Sequence, residues 1–322
     1  MSRRIQDHGG SLNEAVASFG GAPGDWLDLS TGINPRPYPV PELPPASWTR
    51  LPEAADIAAL EAAAARAYEA APEARVLAAP GASALIAALP RLAQPARVAI
   101  PGPTYSEHAA AFCAAGWEVT ERPGPGVTAT AIVNPNNPDG RRWSASELQV
   151  MAQAMDLLVV DESFMDPTPA DALAPYAGEE GLVVLRSFGK FYGLPGLRLG
   201  FAITGPQTAA RLGAALGPWQ VSGAAVHVGQ KALQDVEWLE ATRLRLAADS
   251  ARLTKVANAA GWQAVGGSDL FQTFETPDAV AARERLAAAR IWSRIFPYSR
   301  TWLRLGLPGN AADWARLEGA LI

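Results

Sequence analysis

The chain has 322 residues, 49% of them hydrophobic, and a formal net charge of −5. That is enough apolar material to bury a large core in one or two domains without disulfide or metal staples, and the absence of a clustered basic stripe argues against nucleic acid as a partner. A single cysteine excludes an internal disulfide, the scattered histidines His8, His108 and His227 give no metal site, and no run of about 18 apolar residues occurs.

The start, MSRRIQDHGGSLNE, lacks the apolar stretch of a signal peptide, so a cytoplasmic location is expected. The Pro-rich stretch NPRPYPVPELPPAS (34–47) cannot form a regular ladder or helix and reads as an extended arm. Short β-rich runs then alternate with helical patterns, the signature of a mostly parallel sheet covered by helices. Strands are predicted at 75–79, 97–100, 117–121, 129–134, 157–161, 182–187 and 198–204, which makes seven. Helical patterns lie between them: ALIAALPRLA, SEHAAAFCAAG, with Cys113 expected as a small buried hydrophobe on its apolar face, and SASELQVMAQAM, opened by a capping box of Ser144 and Glu147. After residue 222 long Ala/Leu/Arg-rich helices, a strand-like FQTFET, a helix, WLRLGLP and a closing helix make a smaller α+β unit. The pattern divides into an N-terminal arm with part of the small domain (1–50), a large α/β domain (51–222) and a small C-terminal domain (223–322).

In such a sheet ligands bind beyond the carboxyl ends of the strands, so the residues after each strand carry the chemistry. After 75–79, Gly81, Ala82 and Ser83 open a helix and offer backbone N–H groups and a hydroxyl to a phosphate. After 97–100 comes Tyr105, whose ring suits a flat cofactor. After 129–134 the turn PNNPDG presents Asn137, and Asp161 closes an almost wholly apolar strand, where a carboxylate needs a cation. Strand 182–187 delivers Ser187 and then Lys190, and Arg198 begins the next. Lys190 stands out because only three of the 27 Lys and Arg residues are lysines, and Lys231 and Lys255 lie in ordinary helical patterns. Desolvation can release a lysine amine for condensation with a carbonyl, which arginine cannot do. A phosphate cradle, a stacking ring, a carboxylate and an amine together describe a pyridoxal phosphate site.

The motif S-x-x-K-x-x-G-x-x-G-x-R-x-G fits residues 187–200, and N-P-x-N-P-x-G fits 134–140. In these motifs and their order the chain resembles the fold-type I pyridoxal-phosphate enzymes of the class I/II aminotransferase group. The resemblance implies that Lys190 is the Schiff-base lysine and that Asp161 keeps the pyridine nitrogen protonated. Asn137 would meet the phenolic oxygen and Tyr105 stack on the ring, with Gly81, Ala82, Ser83, Ser187 and Arg198 around the phosphate. Arg304 would grip the substrate carboxylate. It also implies a homodimer with the active site at the subunit interface. Two positions depart from the group: Phe164 stands where a tyrosine is common, and Leu51 where a partner-donated tyrosine is common.

The segments DHGGSLNEA and LDLSTGINPRPYP are similar to those of the cobalamin-pathway branch, which decarboxylates L-threonine O-3-phosphate. That likeness adds His8, Gly9, Gly32, Asn34 and Arg294 as expected substrate contacts, with Arg294 directed at the phosphate. The nearest alternative is an aminotransferase acting on a phosphorylated amino acid, such as histidinol phosphate. A ligand-sensing regulator of the same fold would need a DNA-binding module, and no helix-turn-helix pattern is present.

Overall fold

The computed structural model describes residues 9–321. They form two compact units: residues 37–137 with 141–244, and residues up to 36 with 138–140 and 245 onward. Where the sequence pattern suggests a boundary at 222, the observed division falls at 244/245, inside the helix Val236–Ala259. The helix Gly223–Gln234 belongs to the larger unit because it buries seven side chains or backbones there and packs along the helix Ala54–Ala67.

The larger unit is built on a seven-stranded sheet. Its strands are β1 (Arg75–Ala79), β2 (Arg97–Ala99), β3 (Glu118–Thr120), β4 (Val127–Val133), β5 (Leu157–Asp161), β6 (Leu182–Ser187) and β7 (Gly200–Thr204). The spatial order is β1-β7-β6-β5-β4-β2-β3, and β7 alone runs antiparallel to its neighbours. All seven predicted strands are present. Helices cover the sheet, so β5 is buried along its whole length and shows no polar alternation. Leu85, Leu89, Phe112 and Trp117 close one side over Val98, Val159 and Val183.

Two local expectations are corrected. Cys113 is exposed: the helix Ser106–Ala114 turns His108 and Phe112 inward, and a position one residue after Phe112 points about 100° away, a face that a run of alanines could not reveal. The last strand starts at Gly200 rather than Arg198, because Arg198 adopts a left-handed conformation (φ 54°) that ends the short 3-10 turn Pro195–Leu197. Residues 37–45 run without regular structure, as the prolines require.

In the smaller unit a four-stranded antiparallel sheet is formed by 263–268, 271–275, 294–295 and 302–306. A two-residue parallel pairing ties Leu27 to Ile291 and Asp28 to Trp292. Trp26, Trp292 and Phe19 pack edge-on around Ala15 and Ala287. Among the described residues no helix is long and apolar enough to cross a membrane.

Candidate active site

A cavity of the larger unit opens at the carboxyl ends of β1, β4, β5 and β6, and it is lined by Gly81, Ala82, Ser83, Tyr105, Asn137, Asp161, Ser187, Lys190 and Arg198 together. Every residue singled out above for the cofactor therefore meets in one place. The sheet explains why: parallel strands end on the same side, and each is followed by one of these residues.

Asp161 ends β5 with its side chain buried. Its Oδ1 accepts hydrogen bonds from Ser163 N (3.0 Å) and Ser163 Oγ (2.5 Å), and its Oδ2 lies 2.9 Å from His108 Nε2. Burial pushes the carboxyl up, but the bonds and charge from His108 and the two bonds from Ser163 outweigh it and hold the group below the ordinary aspartate value. Since an ionised carboxylate only accepts, Nε2 is the donor in that contact. His108 is fully buried and its Nδ1 has no hydrogen-bond partner. Sequence reading passed it over as an unplaced histidine. The available signal was its position three residues after Tyr105, one helical turn along the same face.

Tyr105 caps that helix and is pushed up to about 12 by burial, with Asp161 and Glu107 adding and Arg198 opposing. Its ring meets that of His108 edge-on at 6.2 Å. Asn137 is presented by a turn that its neighbours pin down. Asn134 bonds both ways with the Trp143 backbone (3.0 Å each), and Asn136 donates to Pro103 O at 2.9 Å and accepts from Thr104 Oγ1 at 2.5 Å.

Two glycines shape the end of the cavity beside Arg198. Gly81 has φ +85°, and a Cβ there would stand 2.6 Å from Arg198 Nη2. Only glycine lets the guanidinium lie against the turn whose Ala82 and Ser83 N–H groups lack intrahelical acceptors. A Cβ on Gly200 would meet Ala82 N at 2.5 Å. The Lys190 loop rests on an aromatic pile: Phe188 stacks on Tyr192 at 3.9 Å, Tyr192 on Trp238 at 5.8 Å, and Lys190 Nζ sits 5.6 Å from the centre of the Phe164 ring. Beneath Asp161 a buried cluster joins Arg186 to Glu162 (3.3 Å) and Asp166 (3.9 Å), with Arg186 4.5 Å over the Tyr68 ring.

The expected substrate contacts lie in the smaller unit. Arg294 and Arg304 are direct partners across antiparallel strands. Arg304 is buried, donates to Ser30 O at 2.5 Å, and is pulled down to about 10 by burial and by the Arg294 charge. Gly9 and Arg294 line one cleft of this unit, whereas Gly32 and Asn34 do not. Asn34 is buried with its Oδ1 held by Arg36 N (3.0 Å) and Arg245 Nη2 (2.9 Å), a contact that fixes the arm. Gly32 is buried as well. His8 lies outside the described residues.

A profile of the family described as aminotransferase class I and II matches residues 45–317. The chain belongs to this family. It is 44% identical to the threonine-phosphate decarboxylase of Pseudomonas aeruginosa and 42% identical to that of Sinorhizobium sp, in each case over 98% of this chain and 97% of the relative. The histidinol-phosphate aminotransferase of Sinorhizobium meliloti, solved with pyridoxal-5'-phosphate, matches with a TM-score of 0.81 over 100% of this chain and 96% of that one at 19% identity, a likeness of fold. Membership of the class I and II family brings pyridoxal phosphate as the cofactor. The residues fit it: an ionised buried acid, a lysine beside it, and a glycine whose Cβ would fill the space against Arg198.

Proposed function

We propose that this chain is a pyridoxal-phosphate-dependent carboxy-lyase that removes CO₂ from L-threonine O-3-phosphate. The product, (R)-1-amino-2-propanol O-2-phosphate, would serve cobalamin biosynthesis. The observation that carries the substrate class is the register pairing of Arg294 with Arg304. Like charges directly opposite on a sheet repel, so two guanidiniums in register suit a ligand that brings negative charge to both. A substrate with both a carboxylate and a phosphate does so. Full-length identity to two threonine-phosphate decarboxylases supports the reaction type.

Lys190 would hold the cofactor's carbonyl carbon, Asn137 its phenolic oxygen and Tyr105 its ring face. Gly81, Ala82, Ser83, Ser187 and Arg198 would hold its phosphate. When bound, pyridoxal phosphate supplies an electron sink for a bond broken at the substrate Cα. The Asp161 carboxylate would keep a proton on the pyridine nitrogen, and its bonds to His108 and Ser163 hold it charged for that task. Arg304 takes the substrate carboxylate as a planar fork, and Arg294 takes the phosphate, with His8 and the Gly9 backbone completing that anchor. Fixing both anionic ends decides which Cα bond is presented for cleavage. The Lys190 amine would also be the group placed to return a proton to Cα after CO₂ has left.

The chain would act as a cytoplasmic homodimer. Trp48, Leu51 and Trp219 of the larger unit are 69%, 63% and 57% exposed, an apolar surface suited to a second copy. Incubation with O-phosphothreonine and no keto acid tests the reaction: CO₂ should be released over many turnovers. A single stoichiometric conversion, with turnover only after 2-oxoglutarate is added, would make the enzyme an aminotransferase.

A further inference from the structure

The smaller unit contains a cleft of about 610 Å³ whose charged lining is Arg283, Arg294 and Arg300 against Glu14 and Asp278. One of those acids is already committed: Asp278 Oδ1 accepts from Val280 N (2.8 Å) and Ala281 N (2.9 Å) at the start of the helix Ala279–Ala288. Between Trp292 and Arg294 the same cleft is lined by Ser293, which is 2% exposed and whose Oγ has no hydrogen-bond partner. The Nε of Arg283 is likewise buried without a partner, while its guanidinium is held 5.3 Å over the Trp292 ring.

Stranding a hydroxyl and a guanidinium N–H in a cleft costs stability unless a partner from outside the chain reaches them. A ligand that satisfies these groups accepts from several donors at once and carries negative charge, since three guanidiniums face two carboxylates. A phosphate monoester does both, with about −1.5 to −2 charge and three acceptor oxygens. We propose that Ser293 and Arg283 are specificity-determining residues that complete, with Arg294, a phosphoryl subsite. This deepens the function proposed above and rests on it for the substrate. It assigns to Ser293 a hydrogen bond to a phosphoryl oxygen and to Arg283 a charge-assisted one.

The test uses holoenzyme, so that the cofactor occupies its own phosphate cradle. Ser293→Ala removes a donor that is unsatisfied without ligand, so the variant should melt at the wild-type temperature or above it. Its KM for O-phosphothreonine should nevertheless rise roughly tenfold, the worth of one hydrogen bond to a charged group, with kcat changed less than twofold. Inorganic phosphate should raise the melting temperature of wild-type holoenzyme, and this shift should shrink in Ser293→Ala and in Arg283→Gln. Unchanged KM and an unchanged phosphate shift in both variants would overturn the proposal, whatever their melting temperatures. Failure of the wild type to release CO₂ overturns the reaction instead, and the phosphate shift then still decides the subsite.

Discussion

His108 does not line the cavity and would act on the chemistry only through Asp161. Replacing it with phenylalanine keeps a flat ring against Tyr105 but deletes the donor 2.9 Å from Asp161 Oδ2. Asp161 retains two bonds from Ser163, so the loss should follow one charge-assisted hydrogen bond, about 2 kcal/mol, rather than the 3–5 kcal/mol of a fully broken buried pair. The carboxyl should then rise from its depressed value, because burial is opposed by fewer donors. The sign with pH follows from its depressed value. A depressed aspartate stabilises the fold above its unfolded pKa, and that contribution is lost as pH falls through the folded one. The gap between wild type and His108→Phe in urea unfolding should therefore stay level from pH 7 down to about pH 4, the unfolded aspartate value, and narrow only below it. In turnover assays kcat should fall about tenfold or more, with KM little changed, because His108 faces Asp161 and not the substrate. The deciding measurement is a double-mutant cycle with Asp161→Asn. If His108→Phe costs the same in both backgrounds, within about 0.5 kcal/mol, the coupling does not exist and the reasoning is refuted.

Lys190→Ala should abolish CO₂ release and the absorbance of covalently held cofactor while the protein stays folded; retained turnover would end the assignment. Gly200→Ala should be more damaging than Gly81→Ala, because its Cβ would meet the Ala82 backbone at 2.5 Å, whereas the Gly81 Cβ would meet the movable end of Arg198 at 2.6 Å. Cofactor affinity should fall in both, with thermal stability falling chiefly in the first; the reverse order would contradict the packing account. Glu162 is pushed up to about 7 by burial, against the pull of Arg186 and the Leu173 N–H, with Asp166 and Asp161 adding to the rise. A carboxyl raised this way stabilises the fold below its unfolded pKa and loses that contribution as pH climbs through 7. Wild type should thus lose up to about 3 kcal/mol relative to Glu162→Gln between pH 4.5 and 8, read from unfolding curves; parallel curves would show that Glu162 ionises without penalty.

The sheet was legible because its strands announce themselves twice, by β-rich composition and by the polar residue that follows each one. Lys190 was legible by scarcity, and Asp161 because a carboxylate after Leu157–Val160 has no cheap structural use. What stayed hidden were contacts whose meaning exists only in three dimensions. His108 lies 53 residues from Asp161, and nothing in SEHAAAFCAAG marks it as the inward face, since alanine fits either side of a helix. Arg198 looked like a strand start because strand propensity cannot register one residue with φ 54°, and that turn is what lays its guanidinium against Gly81. Ser293 was hidden for the opposite reason. A serine between a tryptophan and an arginine is unremarkable in a sequence, and becomes a candidate ligand only when its hydroxyl is buried with nothing to bond.

Those hidden contacts have one physical character in common. Buried polar groups are costly unless paired, so a fold keeps them where a partner is present or where a ligand will supply one. Asp161 belongs to the first kind, with three donors holding its charge. Ser293 belongs to the second: a stranded hydroxyl one residue before Arg294. The acid of the larger unit's cavity is thus held charged by the chain itself, while the cleft of the smaller unit keeps a hydroxyl without a partner. On the function proposed above, a phosphorylated substrate would supply that partner, and threonine without its phosphate would not.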